Sequence, residues 1–212
     1  LAYETDIKSI IIDNGVTYIG NYAFSDSTNL KSVSISNSVT EMGNAVFLNC
    51  TSLKNVVIPD SVTTISDYAM SECTALTSVD LLENLITIGN GAFKNCTGLQ
   101  SITIPDSVTT IGQQAFYFCG DLQSIVIPES VSTIGESAFG ECRGLQSITI
   151  PGNITTIESG MFFNCTGLQS VTIQDGVTTI GERAFWICTG LQSVTIPDSV
   201  TTIESTAFAD CS

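Results

Sequence analysis

Histidine is absent from the 212-residue chain. Its absence removes the commonest general base and the usual partner of a cysteine nucleophile. Basic residues are scarce: six Lys and Arg stand against 21 Asp and Glu, a formal net charge of −15. No Lys/Arg cluster is present to neutralise phosphates, which excludes nucleic acid as a partner. The same sign disfavours anionic membrane surfaces. Charged residues of both signs make up only 13%, so the surface must be built largely from Ser, Thr, Asn, Gln and Gly. No apolar run approaches the roughly 20 residues of a membrane span, so this segment is not expected to insert directly into a membrane. No signal peptide is visible and the chain begins at Leu1, as expected of an excised or processed segment. Phosphate loops and nucleophile motifs are also missing, so neither an enzyme nor a bound cofactor is expected.

Repetition is what the chain has in abundance. Leu30, Leu53, Leu76, Leu99, Leu122, Leu145, Leu168 and Leu191 recur at intervals of 23 residues, and Ile7 extends the column upstream. The consensus is L-x-S-φ-x-φ-P-x-S-V-T-x-I-G-x-x-A-F-x-x-C-x-x, where φ is Val, Ile or Leu. Nine copies run from Ile7 to Ser212, the last one residue short, and Leu1–Asp6 reads as the tail of another with Leu1 in the Phe slot. The whole of 1–212 is therefore expected to be a single array, a piece of a longer surface protein. Below, slots are numbered from the Leu position and rungs from Ile7.

The pattern has a physical reading. In "LQSITI" (99–104), Leu99, Ile102 and Ile104 point inward and Thr103 outward, the period-two alternation of a strand. Pro105 then ends the ladder, having no N–H to donate. All five prolines, Pro59, Pro105, Pro128, Pro151 and Pro197, occupy this slot. Val108 and Ile111 suggest a second short extended piece. Ala115, Phe116 and Cys119, at i, i+1 and i+4, fit the inward face of one helical turn. One copy cannot bury its apolar face alone, whereas stacked copies bury a continuous core.

The 23-residue period and the combination I-P-x-x-V-x-x-I-G-x-x-A-F-x-x-C resemble the BspA-like, or Treponema pallidum type, leucine-rich repeats, over essentially the whole chain. The resemblance implies an α/β repeat fold: a right-handed curved solenoid with a parallel sheet on its concave face and short extended or helical turns on the other. It also implies a cell-surface or secreted location and adhesion or ligand binding without catalysis. Departures are few. Ser27 replaces Cys, Met70 replaces Phe and Leu82 replaces Pro, while Ser66, Glu158 and Glu204 occupy the Gly slot. Glu in that slot argues against a positive-φ requirement there. Neither end shows an atypical capping repeat.

All eight cysteines share slot 21 (Cys50, Cys73, Cys96, Cys119, Cys142, Cys165, Cys188, Cys211). A spacing of 23 is not that of a zinc site. Side chains stacked from one slot point the same way, which opposes bridging between rungs. The favoured reading is a small buried hydrophobe. An acidic column follows the proline: Asp60, Glu83, Asp106, Glu129, Asp175 and Asp198. Such a ladder could recruit Ca²⁺, or it could simply be a solvated turn. Four N-x-T sequons, at Asn49, Asn95, Asn153 and Asn164, read either as glycan sites in a eukaryotic source or as drift within the repeat.

Two outward surfaces remain as candidate sites. On the strand face, slots 2, 3 and 5 are nearly uniform Gln, Ser and Thr toward the C-terminus. Variation is concentrated between Ile11 and Asp80, and the strand-face candidates are Lys31, Lys54, Val57, Asp80 and, further on, Val126. On the opposite face, slots 19 and 20 are mostly polar, except at Tyr117, Phe118, Phe163, Trp186 and Ile187. These form either an apolar interaction patch or rings folded into grooves between rungs, with Gly140 making room for one. The leading functional expectation is an extracellular, adhesin-like binding module for a protein or glycan ligand, host molecules included. The alternative is a structural spacer holding another domain away from the cell surface. A thiol titration of the unfolded chain should count eight free thiols; fewer would mean that bridges form.

Overall fold

The structure, a computed structural model, describes residues 6–211. Leu1 and the partial repeat's other residues up to position 5 lie outside the described residues. Successive repeats stack as rungs of a solenoid with three hydrogen-bonded sides. The first side is the main strand of slots 3–6, whose side chains alternate between buried and exposed as the sequence alternation dictates. Ser9–Ile12, Ser32–Ile35, Asn55–Val57 and Ser78–Asp80 form one parallel four-stranded sheet, and Ser147–Ile150, Ser170–Ile173 and Ser193–Thr195 another of three. Pairing is in register with the repeat, Val33 against Val56 and Ile148 against Val171. Between the two sheets the ladder lapses to a single bridge, Ser101 with Ser124.

The second side is a two-residue strand at slots 12 and 13. From Thr64–Ile65 to Thr133–Ile134 it is continuous across four rungs. Slot 9 explains its consensus Ser here. The Ser107, Ser130 and Ser199 hydroxyls donate to the slot-10 carbonyls of Leu85, Val108 and Val177 in the preceding rung, at 2.6–2.8 Å.

The third side differs from the sequence expectation. The inward face read at i, i+1 and i+4 is present, but no helix carries it among the described residues. Slots 16 and 20 take positive φ, for example Gln114 at 53° and Phe118 at 61°. A left-handed residue every fourth position turns the chain out of any helical path. The N–H groups of slots 16, 18 and 20 therefore point at the next rung. Gln114, Phe116 and Phe118 donate to the carbonyls of Glu136, Ala138 and Gly140 at 2.8–2.9 Å. The intervening N–H groups close local turns, as Cys119 does on Phe116. From the first rung to the last, these three inter-rung bonds recur at 2.6–3.1 Å.

The core is a set of columns. Phe47, Phe93, Phe116, Phe139, Phe162 and Phe185 are fully buried. Stacked rings such as Phe93–Phe116 and Phe185–Phe208 lie 5.1–5.6 Å apart and within 16° of parallel. Met70 interrupts this column with a side chain adaptable enough to fill the same space. The cysteines are free thiols, seven buried and Cys211 half-buried. They are more than filler. Each donates its S–H to the slot-18 carbonyl of the preceding rung, Cys73 to Phe47 at 3.2 Å and Cys96 to Met70 at 3.0 Å. In the last rung Leu191, Val194, Ile196, Ile203 and Phe208 surround an open apolar depression of about 310 Å³.

Burial pushes the Cys96 thiol from 9.0 up to about 12, against a smaller opposing pull from the Cys73 backbone. Cys142 is likewise pushed up to about 12, chiefly by burial. The folded state thus holds the proton more tightly than the unfolded chain does. This contribution is complete below about pH 9 and is lost as pH rises toward 12. Each buried thiol should steepen the alkaline loss of stability by about 1.4 kcal/mol per pH unit in that window. Urea unfolding of Cys96→Ala should start from a lower stability and show a slope shallower by that share. An unchanged slope would contradict the assignment.

Candidate functional site

The strand-face candidates do not converge. Lys31 and Lys54 are exposed at slot 2 of adjacent rungs, and Val57 pairs with Asp80 at slot 5. Val126 lies three rungs beyond Val57 and is 77% exposed. It lines a cleft of about 560 Å³, with Asp106 and Glu129, where the main ladder has lapsed. The acidic column is exposed at all six positions. Among the described residues no three His, Cys, Asp or Glu side chains are grouped to hold a metal.

The turn-face candidates share one face as a strip down slots 19 and 20, interrupted at Gly140 and Glu141, and among them Phe163 and Trp186 are in contact. Tyr117 lies over Gly140, where an added Cβ would meet its ring at 3.0 Å. Phe163 and Trp186 pack with centroids 5.3 Å apart and planes tilted by 35°. Tyr117, Phe163, Trp186 and Ile187 are half-buried, and Phe118 is 37% exposed. The rings thus fill grooves between rungs and still present a face to solvent.

Sequence reading missed the cations of this strip. Lys94 Nζ stands 5.6 Å from the Tyr117 ring centre, Arg143 Cζ 5.7 Å from Phe118, and Arg183 Cζ 5.0 Å from Trp186. Three of the chain's six basic residues therefore lie against these aromatics. Arg143 and Arg183 are half exposed, where contacts of this kind are attractive through the ring quadrupole by about 0.5–1 kcal/mol. A usable signal was present: in so acidic a chain, every Lys or Arg beyond residue 54 falls within the turn segment of an aromatic rung or its neighbour. Carboxylates anchor the strip. Glu141, nearly buried, accepts from Arg143 Nη2 and from Asn164 Nδ2, both at 2.8 Å. Asp210 accepts from Trp186 Nε1 at 2.9 Å. Burial first, and Glu141 second, raise the Tyr117 hydroxyl above its ordinary value.

Slot 20 separates the residues the fold asks for from those it tolerates. Asp26, Asn49, Asn95, Asn164 and Asp210 suit a left-handed slot, because Asn and Asp reach that conformation at least cost. This accounts for the Asn-Cys-Thr sequons at Asn49, Asn95 and Asn164: a left-handed Asn precedes a core Cys. Asn49 and Asn164 also spend their amides on Asp26 and Glu141 of the preceding rung, both at 2.8 Å. Asn153 lies elsewhere, at slot 9, where its amide replaces the serine donor. By contrast, Phe118 (φ 61°) and Ile187 (φ 62°) hold bulky side chains in the same strained conformation, with Ile187 β-branched as well.

A depression of about 180 Å³ opens between the Phe163 and Trp186 rungs, lined by Ser137, Ser159, Gly160, Phe163, Arg183 and Trp186. Beside it runs a short acidic ladder. Burial, then Glu136 and Glu204, raise the Glu158 carboxyl above the usual range.

Residues 2–120 and again 86–212 match the pattern described as "BspA type Leucine rich repeat region (6 copies)". The chain belongs to the BspA-type leucine-rich repeat family. None of the curated proteins compared with this BspA-type array matches it. Among solved structures it is similar to a leucine-rich repeat protein of T. pallidum, at 26% identity over 89% of this chain and 80% of that one, with a TM-score of 0.69. It is also similar to a leucine-rich cell surface protein of Faecalibacterium prausnitzii, at 26% identity, TM-score 0.58, covering 79% of this chain but 60% of that one. The pneumococcal vaccine antigen PcpA shares the fold, at 19% identity over 95% of this chain and 64% of that one, with a TM-score of 0.51. The BspA-type array thus spans less than two thirds of the latter two.

Ile187→Asn should relieve the left-handed strain and raise the stability to urea by about 1 kcal/mol. A variant less stable than the parent would show that Ile187 packing outweighs its strain.

Proposed function

We propose that this chain is an extracellular or cell-surface binding module, adhesin-like and without a catalytic step. It would present the turn-face strip of Tyr117, Phe118, Phe163, Trp186 and Ile187 to a protein or glycan partner, host molecules among them. The observation that carries this reading is the placement of Phe118 and Ile187 in slot 20, a left-handed slot that every other rung fills with Asn, Asp or Glu. Strain kept in a framework that repeats a cheaper solution in neighbouring rungs argues for a role outside the fold. The likeness to a bacterial cell surface protein supports the location. Rigid display supports the mechanism, because few side chains lose freedom on docking. The net charge of −15 favours neutral or basic partners.

A spacer is the second reading. The run of Gln100, Gln123, Gln146, Gln169 and Gln192 down slot 2 favours it, since a uniform face offers little to discriminate among partners. Beads coated with the chain separate the two readings. Under the binding reading they adhere to host epithelial cells, and combining Phe163→Ala with Trp186→Ala cuts adhesion at least about tenfold. Beads that do not adhere, or that adhere equally with both rings removed, would favour the spacer.

A further inference from the structure

The chemistry of the depression between the Phe163 and Trp186 rungs narrows the partner. We propose that it is a subsite for one neutral pyranose ring of a glycan, a proposal that rests on the binding-module reading above. At about 180 Å³ the depression is the size of a single sugar ring, too small for a folded peptide segment or a drug-sized ligand. Its walls combine the two surfaces a pyranose presents. Phe163 and Trp186, tilted at 35° with centroids 5.3 Å apart, offer aromatic surface for the C–H face of a sugar. Ser137 and Ser159 offer two hydroxyls that can both donate and accept toward sugar hydroxyls.

Arg183 completes the arrangement. Its guanidinium lies 5.0 Å from the Trp186 ring centre, and its Nε is held by Glu182 Oε1 at 3.4 Å. The outer N–H groups of the guanidinium are left as donors. Gly160 forms part of the wall at φ 60°, and a Cβ there would come within 3.0 Å of Ser137 Oγ. Gly160 therefore keeps the Ser137 hydroxyl accessible.

Charge decides between a neutral and an acidic sugar. Glu136 and Glu204 lie close enough to Glu158 to help burial raise its carboxyl, and Glu182 already pairs with Arg183. A sialic or uronic carboxylate would meet this acidic ladder and a net charge of −15, an unfavourable encounter. A neutral ring meets no such opposition.

Trp186 is the sole tryptophan of the chain, so its fluorescence reports on this depression alone. Titration of the whole chain with neutral mono- and trisaccharides built from glucose, galactose, mannose and N-acetylglucosamine should give a saturable change with at least one of them. One ring contacting through about a dozen non-hydrogen atoms implies a dissociation constant of about 1 mM, alike at low and high salt. Phe163→Ala and Ser137→Ala should each weaken it at least about fivefold, while Tyr22→Ala, on the first rung, should not. Circular dichroism of each variant separates misfolding from lost binding. A response confined to sialylated or uronic sugars would overturn the neutral assignment. No response to any sugar, with cell adhesion still dependent on Trp186, would overturn the glycan assignment and leave the binding module standing. No response and no adhesion would remove both.

Discussion

The carbonyl of slot 18 is where the stack is tied. In the first eight rungs it accepts the N–H of its own slot-21 residue and the S–H of the next rung's Cys. Phe47, for instance, receives Cys50 N and Cys73 Sγ, both at 3.2 Å. Around it, three backbone bonds per step bind the turn side of each rung to the next. Alanine would fit the cysteine slot but donate nothing to this carbonyl. Burial keeps the thiols protonated, and a thiolate would have no proton to give. The aromatic column, the left-handed slots and the outward strip all follow from this arrangement. Two bonding demands, local and inter-rung, alternate along one short segment.

That alternation sets the limits on what the sequence showed. The period, the inward columns, the strand and the role of proline are legible because each recurs at 23 residues and obeys period-two or steric rules. Ala115, Phe116 and Cys119 were placed inward correctly, yet the segment is a chain of turns. Spacing at i, i+1 and i+4 identifies a face without specifying the backbone that makes it. The left-handed slots had a faint trace in the Asn and Asp of slot 20, diluted by Glu72, Glu141, Phe118 and Ile187 in the same column. The aromatic strip was legible as an anomaly against the repeat. Its cations were legible only as three basic residues confined to the turn segments; their pairing with the rings was not, because Lys94, Arg143 and Arg183 occupy three different slots and meet the rings only after the rungs stack.

The two outward surfaces now divide the work differently from the sequence expectation. The strand face presents isolated features: two lysines, a Val57–Asp80 pair and a cleft beside Val126. The turn face concentrates aromatic area, cations and carboxylate anchors on rungs that are hydrogen-bonded at every step, which makes it the more rigid platform. Rigid aromatics on a fixed backbone bind at low entropic cost. The strain at Phe118 and Ile187 can persist because the rungs on either side over-determine the backbone there.

Native-state hydrogen exchange of the whole chain tests the turn-side constraint most directly. If that ladder ties the stack, the amides of Phe93, Phe116 and Phe139 exchange most slowly, near the rate of global unfolding. The main-strand amides of Val126 and Ile127, beside the lapse in the ladder, exchange much faster. Turn-side amides that exchange faster than these main-strand amides would contradict the account.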